Sequence, residues 1–159
     1  MAVEIERKFL VIGEDWRALG EGVVYRQGYL KSGETLTVRV RVAGDAGYIT
    51  IKGASQGIAR AEYEYGIPLT DANEMLDTLC ERPLIEKKRY RIWYEDLLWE
   101  VDEFMGANQG LIMAEVELTD ANQALHIPNW IGKEVSDDRR YFNVNLAKHP
   151  YQEWGKDLG

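Results

Sequence analysis

Like-charged side chains stand two residues apart in several short stretches of this chain. These stretches include Glu4-Ile5-Glu6-Arg7-Lys8, Arg39-Val40-Arg41, Glu62-Tyr63-Glu64, Lys87-Lys88-Arg89, Glu100-Val101-Asp102 and Glu115-Val116-Glu117. Residues at i and i+2 share one face of a β-strand, because side chains alternate sides along it. Paired carboxylates are the ligands that hard divalent cations prefer, and Arg and Lys side chains hold phosphates. The pattern therefore predicts a charged surface, built from many strands, that could bind a polyanion together with metal ions.

Strands are the elements that must position these charges. Alternation of apolar and charged residues predicts eight of them, and short turn-forming connections predict antiparallel hairpins between neighbours. The predicted strands cover residues 3–11, 23–30, 35–42, 48–52, 59–67, 84–94, 97–104 and 111–118. We also predict helices at residues 70–80 and 119–125 and a C-terminal helix within residues 137–148.

The two faces of these strands predict how the sheet closes. The charged face gathers eight acidic and eight basic residues: Glu4, Glu6, Glu62, Glu64, Glu100, Asp102, Glu115 and Glu117, with Lys8, Arg39, Arg41, Lys52, Arg60, Lys87, Arg89 and Arg91. An open sheet with these charges facing water is the alternative, but clusters of one sign are unfavourable unless ions of opposite charge lie among them. Eight strands can close into a barrel. We therefore predict an α+β, mainly β, fold: a closed eight-stranded antiparallel barrel with a wet, charged interior and helices packed outside.

Composition limits the class of protein. The 159 residues, 45% of them hydrophobic, predict one domain spanning residues 1–159. A formal net charge of −8 argues against a nonspecific nucleic-acid or membrane-surface binder. The single cysteine, Cys80, excludes an internal disulfide, and the sequence has neither an apolar targeting stretch nor a membrane-spanning run. We expect a cytoplasmic protein.

The order of the charged motifs resembles a known family. Glu4-Ile5-Glu6-Arg7-Lys8 is similar to the ExExK signature of the CYTH superfamily, also called triphosphate tunnel metalloenzymes. The resemblance continues through Thr37-Val38-Arg39-Val40-Arg41, Glu86-Lys87-Lys88-Arg89-Tyr90 and Ala114-Glu115-Val116-Glu117, and is nearest to the short, single-domain inorganic triphosphatases. It implies an eight-stranded barrel whose tunnel binds a linear triphosphate with Mg²⁺ or Mn²⁺, and a C-terminal helix near one tunnel end.

The resemblance also implies roles for individual residues. The phosphates would be held by Lys8, Arg39, Arg41, Lys52, Lys87 and Arg89. The metal or its water shell would be held by Glu4, Glu6, Glu62, Glu64, Asp102, Glu115 and Glu117. Lys87 matches the lysine implicated as the water-activating base in short family members, and a phosphate clamp is its alternative role.

The predicted function is metal-dependent hydrolysis of a linear triphosphate, above all of tripolyphosphate to pyrophosphate and phosphate. Relatives with this barrel include class IV adenylate cyclases, thiamine triphosphatases and nucleoside triphosphatases, which stay as alternatives. A noncatalytic sensor of polyphosphate or nucleotides is an alternative of another class, although the complete set of carboxylate pairs favours catalysis. The expected partner is a small molecule that contains a triphosphate, with no nucleic acid and no membrane; a homodimer is left open.

Overall fold

Eight antiparallel strands close into a barrel in the computed structural model, which describes residues 3–155. The strands are β1 (Val3–Val11), β2 (Gly22–Ser32), β3 (Leu36–Ala43), β4 (Ala46–Gly53), β5 (Ala59–Ile67), β6 (Ile85–Tyr94), β7 (Leu97–Phe104) and β8 (Ile112–Glu117). Their order around the barrel is β1-β5-β4-β3-β2-β6-β7-β8, and β8 pairs with β1 again. This architecture confirms the fold predicted from the alternation of charges.

Strand β1 closes the barrel by using different residues for its two neighbours. Its first residues, from Val3 to Ile5, pair with β5, and residues Glu6 to Leu10 pair with β8. A ninth strand, β9 (Ile131–Glu134), also pairs with β1 near Phe9 and Val11, across a register shift. This four-residue strand was not predicted from the sequence. The charged residues of β1 are consequently fixed against both neighbouring strands.

The apolar face of the sheet lies outside the barrel. Its largest cluster surrounds Trp99, whose ring lies 5.5 Å from Phe9 and 5.9 Å from Trp130 between ring centroids. Trp16, in a 3₁₀ turn at Asp15–Ala18, packs edge-on against Tyr90 on the same outer face. The outer face is not covered everywhere, because Tyr63 and Tyr65 of β5 are exposed.

The helices differ in part from their prediction. Helix α1 (Leu69–Thr78) follows Pro68 and packs Ala72 and Leu76 against β3. The helix predicted at residues 119–125 is wrong: this segment forms a turn. There the Gln123 side chain accepts a hydrogen bond from the backbone N–H of Thr119. The Asp120 carboxylate accepts one from the backbone N–H of Asn122. Side chains of this kind compete with helical hydrogen bonds.

The C-terminal segment closes one end of the barrel. It contains a 3₁₀ turn at Arg139–Tyr141 and two short helices, α2 (Asn143–Lys148) and α3 (Tyr151–Trp154). Helix α2 lies within the range predicted for a C-terminal helix, residues 137–148, and α3 follows it and was not predicted. Its Tyr141 and Leu146 are buried in an apolar cluster with Ile85, at the start of β6, and Phe104, at the end of β7. In residues 3–155, no helix has the length and apolar character needed to cross a membrane.

Candidate active site

Side chains from all eight barrel strands line one interior cavity of about 360 Å³. Except for Asp102, every site residue predicted from the sequence lines it: Glu4, Glu6, Lys8, Arg39, Arg41, Lys52, Glu62, Glu64, Lys87, Arg89, Glu115 and Glu117. Arg60, Arg91 and Glu100, which share the same strand phase, line it as well. The structure thus brings the charged motifs together, although they are spread along more than a hundred residues of the chain.

Two arginines of β3, Arg39 and Arg41, bring positive charge into the cavity. Arg39 donates to Thr50 Oγ1 at 3.2 Å, and an Arg41 Nη2 lies 3.5 Å from Glu64 Oε1. Both Nε–H groups are buried without an acceptor in the part of the chain that the structure describes. Burial, together with Arg39 and Arg89, lowers the pKa of Arg41 to about 10. Such unsatisfied, charge-assisted donors are suited to phosphate oxygens.

Lys87 is a buried lysine with an unusual environment. Its side chain is 1% exposed, and its Nζ lies 2.9 Å from Asp102 Oδ2 and donates to Asn143 Oδ1 at 3.0 Å. Burial is the main cause that lowers the pKa of Lys87 to about 8, and Arg89 adds to the shift while Asp102 opposes it. A measurable fraction of this side chain is therefore neutral near neutral pH, as a general base requires.

Asp102 is engaged on both carboxylate oxygens by cations. Arg89 donates to its Oδ1 at 2.7 Å and to its Oδ2 at 2.8 Å, while Lys87 contacts the same Oδ2. Burial alone would raise the pKa of Asp102, but Arg89 and Lys87 together hold it below its ordinary value. Asp102 lies behind these two cations and does not line the cavity. We therefore infer that Asp102 holds Lys87 and Arg89 in place and revise its expected role as a metal ligand.

Lys8 contrasts with Lys87, because two carboxylates surround it. Its Nζ donates to Glu6 and to Glu115, both at 2.9 Å. Burial disfavours its charged form, yet Glu115 and Glu6 outweigh burial and raise the pKa of Lys8 above its ordinary value. Lys8 is thus a permanent cation and is suited to hold an anion, not to accept a proton.

Carboxylates crowd the opposite part of the cavity. Glu6 lies directly across from Glu117 in the β1–β8 pair, and Glu100 lies across from Glu115 in the β7–β8 pair. Burial raises the pKa of Glu117, and the nearby Glu4, Glu6 and Glu100 raise it further. Directly opposed like charges destabilise a sheet. Among the described residues, Glu117 forms no ion pair that would relieve this repulsion.

These carboxylates fit a divalent cation by their chemistry. Glu4 also has a raised pKa, from burial and from Glu62, although Lys52 at 2.9 Å opposes the shift. Mg²⁺ and Mn²⁺ prefer carboxylate oxygen, and Mg²⁺ usually keeps several of its waters. Across residues 3–155, no three acidic, histidine or cysteine side chains are already arranged as a closed ligand set. The cluster thus offers oxygen ligands and surplus negative charge. Some of its carboxylates also form ion pairs: Glu6 with Lys8, and Glu4 with Lys52 and Arg60.

Sequence reasoning missed the contribution of the C-terminal segment. Phe142, Asn143 and Val144 line the cavity, as do Tyr25 and Ser136. Asn143 contacts Lys87 directly. A neutral amide in a short helix gives no charge pattern and no strand phase. Only the resemblance of this segment to a helix near the tunnel end could have indicated it.

Comparisons with known proteins agree with this geometry. The CYTH domain profile matches residues 2–151. The chain is 53% identical to an inorganic triphosphatase from Acetivibrio thermocellus, over 97% of this chain and 99% of that protein. It is 40% identical to an inorganic triphosphatase from Nitrosomonas europaea, over 91% of this chain and 96% of that protein. The crystal structure of the inorganic triphosphatase NE1496 superimposes with a TM-score of 0.62 at 38% identity, covering 90% of this chain and 96% of that one. The chain therefore belongs to the CYTH domain family.

Proposed function

We propose that this protein hydrolyses inorganic tripolyphosphate to pyrophosphate and orthophosphate with a divalent cation, Mg²⁺ or Mn²⁺. The observation that carries this proposal is one cavity inside the barrel that combines unsatisfied arginine donors, a lysine with a lowered pKa and a crowded set of carboxylates. The two relatives named above, both inorganic triphosphatases that match nearly the whole chain, support the same activity.

The cations of the cavity would bind the phosphate chain. Arg39 and Arg41 offer Nε–H donors that have no acceptor inside the described barrel. Lys8, Lys52 and Arg89 carry further positive charge into the same cavity. Phosphoryl transfer needs charge neutralisation and alignment more than covalent help from the protein. These side chains would therefore hold the substrate with its terminal phosphorus exposed to water.

The carboxylates would hold the metal ion. Triphosphatases of the CYTH family are metal-dependent in general. Here the metal or its waters would be held by Glu4, Glu6, Glu62, Glu64, Glu115 and Glu117. A bound cation would neutralise charge on the phosphoryl oxygens.

Lys87 would act as the general base. Its neutral amine accepts a proton from the attacking water, whose oxygen bonds to the terminal phosphorus while the bond to the bridging oxygen breaks. Pyrophosphate leaves, and orthophosphate is the second product. Arg89 and Asp102 keep the amine in place, and Lys8 stays charged throughout. A step of this kind contributes on the order of 10²- to 10⁴-fold in rate.

A panel of triphosphates tests this assignment. Orthophosphate release is measured from tripolyphosphate, ATP and thiamine triphosphate, with Mg²⁺, with Mn²⁺ and with a chelator. We expect metal-dependent turnover with tripolyphosphate as the best substrate. Faster release from ATP or thiamine triphosphate would assign the protein to a nucleotide or thiamine substrate, and cyclic AMP formed from ATP would identify a cyclase. Tight binding of every triphosphate without turnover would indicate a sensor.

A further inference from the structure

Asn143 connects the C-terminal segment to the lysine of the proposed reaction. It is the first residue of α2 and lines the cavity. Its Oδ1 accepts two hydrogen bonds, from Lys87 Nζ at 3.0 Å and from Gln27 Nε2 at 3.2 Å. Both donors belong to barrel strands, β6 and β2, so one amide oxygen joins the segment at the tunnel end to two strands of the wall.

The direction of these contacts matters for the Lys87 amine. A neutral amine has two N–H groups and one lone pair. Asp102 Oδ2 and Asn143 Oδ1 are both oxygen acceptors, at 2.9 Å and 3.0 Å from Nζ. When each accepts one N–H, the lone pair is left pointing away from both oxygens, and Lys87 itself lines the cavity. With only one acceptor, the amine could rotate and the lone pair would have no fixed direction.

We propose that Asn143 is a positioning residue, which orients the Lys87 amine so that it can take a proton from water inside the cavity. This inference rests on the proposed triphosphatase function, and it makes the C-terminal segment part of the reaction machinery as well as a cover of the tunnel end. Asn143 touches the base and acts through it.

The surroundings of Asn143 hold its amide in one orientation. Gln27 is fully buried, and its NH₂ group faces Asn143 while its Oε1 has no hydrogen-bond partner among residues 3–155. The segment is anchored on both sides of Asn143: Phe142 lies 5.9 Å from Lys8 Nζ, measured to its ring centroid, and Leu146 is fully buried.

Substitution of Asn143 by leucine tests this role, because leucine has a similar size and no acceptor. Turnover of tripolyphosphate is measured at saturating metal for the wild type, Asn143→Leu, Lys87→Ala and the double variant. We expect Asn143→Leu to lower kcat by about tenfold or more, a part of the general-base contribution, with KM changed less than about threefold. In the Lys87→Ala background the same substitution should change kcat by less than about twofold, since residues that act as one unit are not additive.

A matched control lies two residues further along α2. Asn145 donates to the Arg139 carbonyl at 2.8 Å and does not line the cavity, so Asn145→Ala should keep kcat within about twofold of the wild type. Circular dichroism checks that each variant is folded, and Asn143→Ala replaces the leucine variant if that one is not. An Asn143 variant with wild-type kcat, or an equal loss with and without Lys87, would overturn the inference. A wild type that does not hydrolyse tripolyphosphate would instead refute the proposed function.

Discussion

Lys87 should give tripolyphosphate hydrolysis a rate that rises with pH. The base must be neutral to accept a proton, and burial lowers its pKa from 10.5 to about 8. At pH 7 the neutral fraction is then about 9%, against about 0.03% for an ordinary lysine, which is a difference of roughly 300-fold. The expected profile of log(kcat/KM), which reports the free enzyme, rises with unit slope and levels off above about pH 8.

Asp102→Asn perturbs this profile in a defined direction. Three charged groups face Lys87: Asp102 and Glu115 raise its pKa, and Arg89 lowers it. Removal of the Asp102 charge should move the inflection below that of the wild type. The same change leaves Lys87 and Arg89 buried without their shared anion, so the free energy of unfolding should fall by about 3–5 kcal/mol. Glu103→Gln is the matched control, because Glu103 is next in sequence but pairs with Arg17 on the outside of the barrel.

The assay follows initial rates of orthophosphate release between about pH 6 and about pH 10 at saturating metal, with Lys87→Ala measured in parallel. The wild-type inflection should disappear in Lys87→Ala and stay in place in Glu103→Gln. The assignment of Lys87 as a base with a lowered pKa would be refuted if the wild-type profile had its inflection near the ordinary lysine pKa, or were flat or falling. It would also be refuted if Asp102→Asn left the inflection unchanged.

Three further predictions concern the metal, the substrate and the core. Glu117→Gln should lower metal-dependent turnover by about 100-fold or more. It should leave the melting temperature unchanged or raise it, because it removes a carboxylate that repels its neighbours. A clear loss of thermal stability with full activity would contradict this prediction. Arg41→Met should raise KM for tripolyphosphate about tenfold or more and change kcat less, as measured by steady-state kinetics. An unchanged KM would refute a role of Arg41 in substrate binding. In urea unfolding, Trp99→Ala should cost about 3–5 kcal/mol and the exposed Trp93→Ala less than about 0.5 kcal/mol; similar losses in both would show that the outer cluster is not the core.

The strands and the charged face could be predicted because a period of two is a direct consequence of strand geometry. Glu4 and Glu6 point to one side wherever β1 lies, so their sharing of a cavity follows once the sheet closes. The face of a strand on which a side chain lies does not determine how deeply that side chain is buried or which residues it pairs with. Asp102 shares the phase of Glu100, yet it lies behind Lys87 and Arg89 while Glu100 reaches the cavity.

The parts that could not be predicted depend on contacts between distant residues or on local side-chain hydrogen bonds. Asn143 becomes important only because the C-terminal segment folds back onto β6, 56 residues earlier in the chain at Lys87. Strand β9 exists because β1 offers a free edge beside Phe9, a feature that its own four residues do not encode. The turn after Leu118 replaces a helix because Asp120 and Gln123 satisfy backbone N–H groups locally.

Phosphorus NMR of tripolyphosphate hydrolysis in ¹⁸O-labelled water tests the central claim most directly, since it follows both products and the oxygen that enters. With the wild-type protein and Mg²⁺, we predict equal amounts of pyrophosphate and orthophosphate, with the label from water in orthophosphate alone. Tripolyphosphate that stays intact with either Mg²⁺ or Mn²⁺, or a label that enters pyrophosphate, would contradict attack by water on the terminal phosphorus in this cavity.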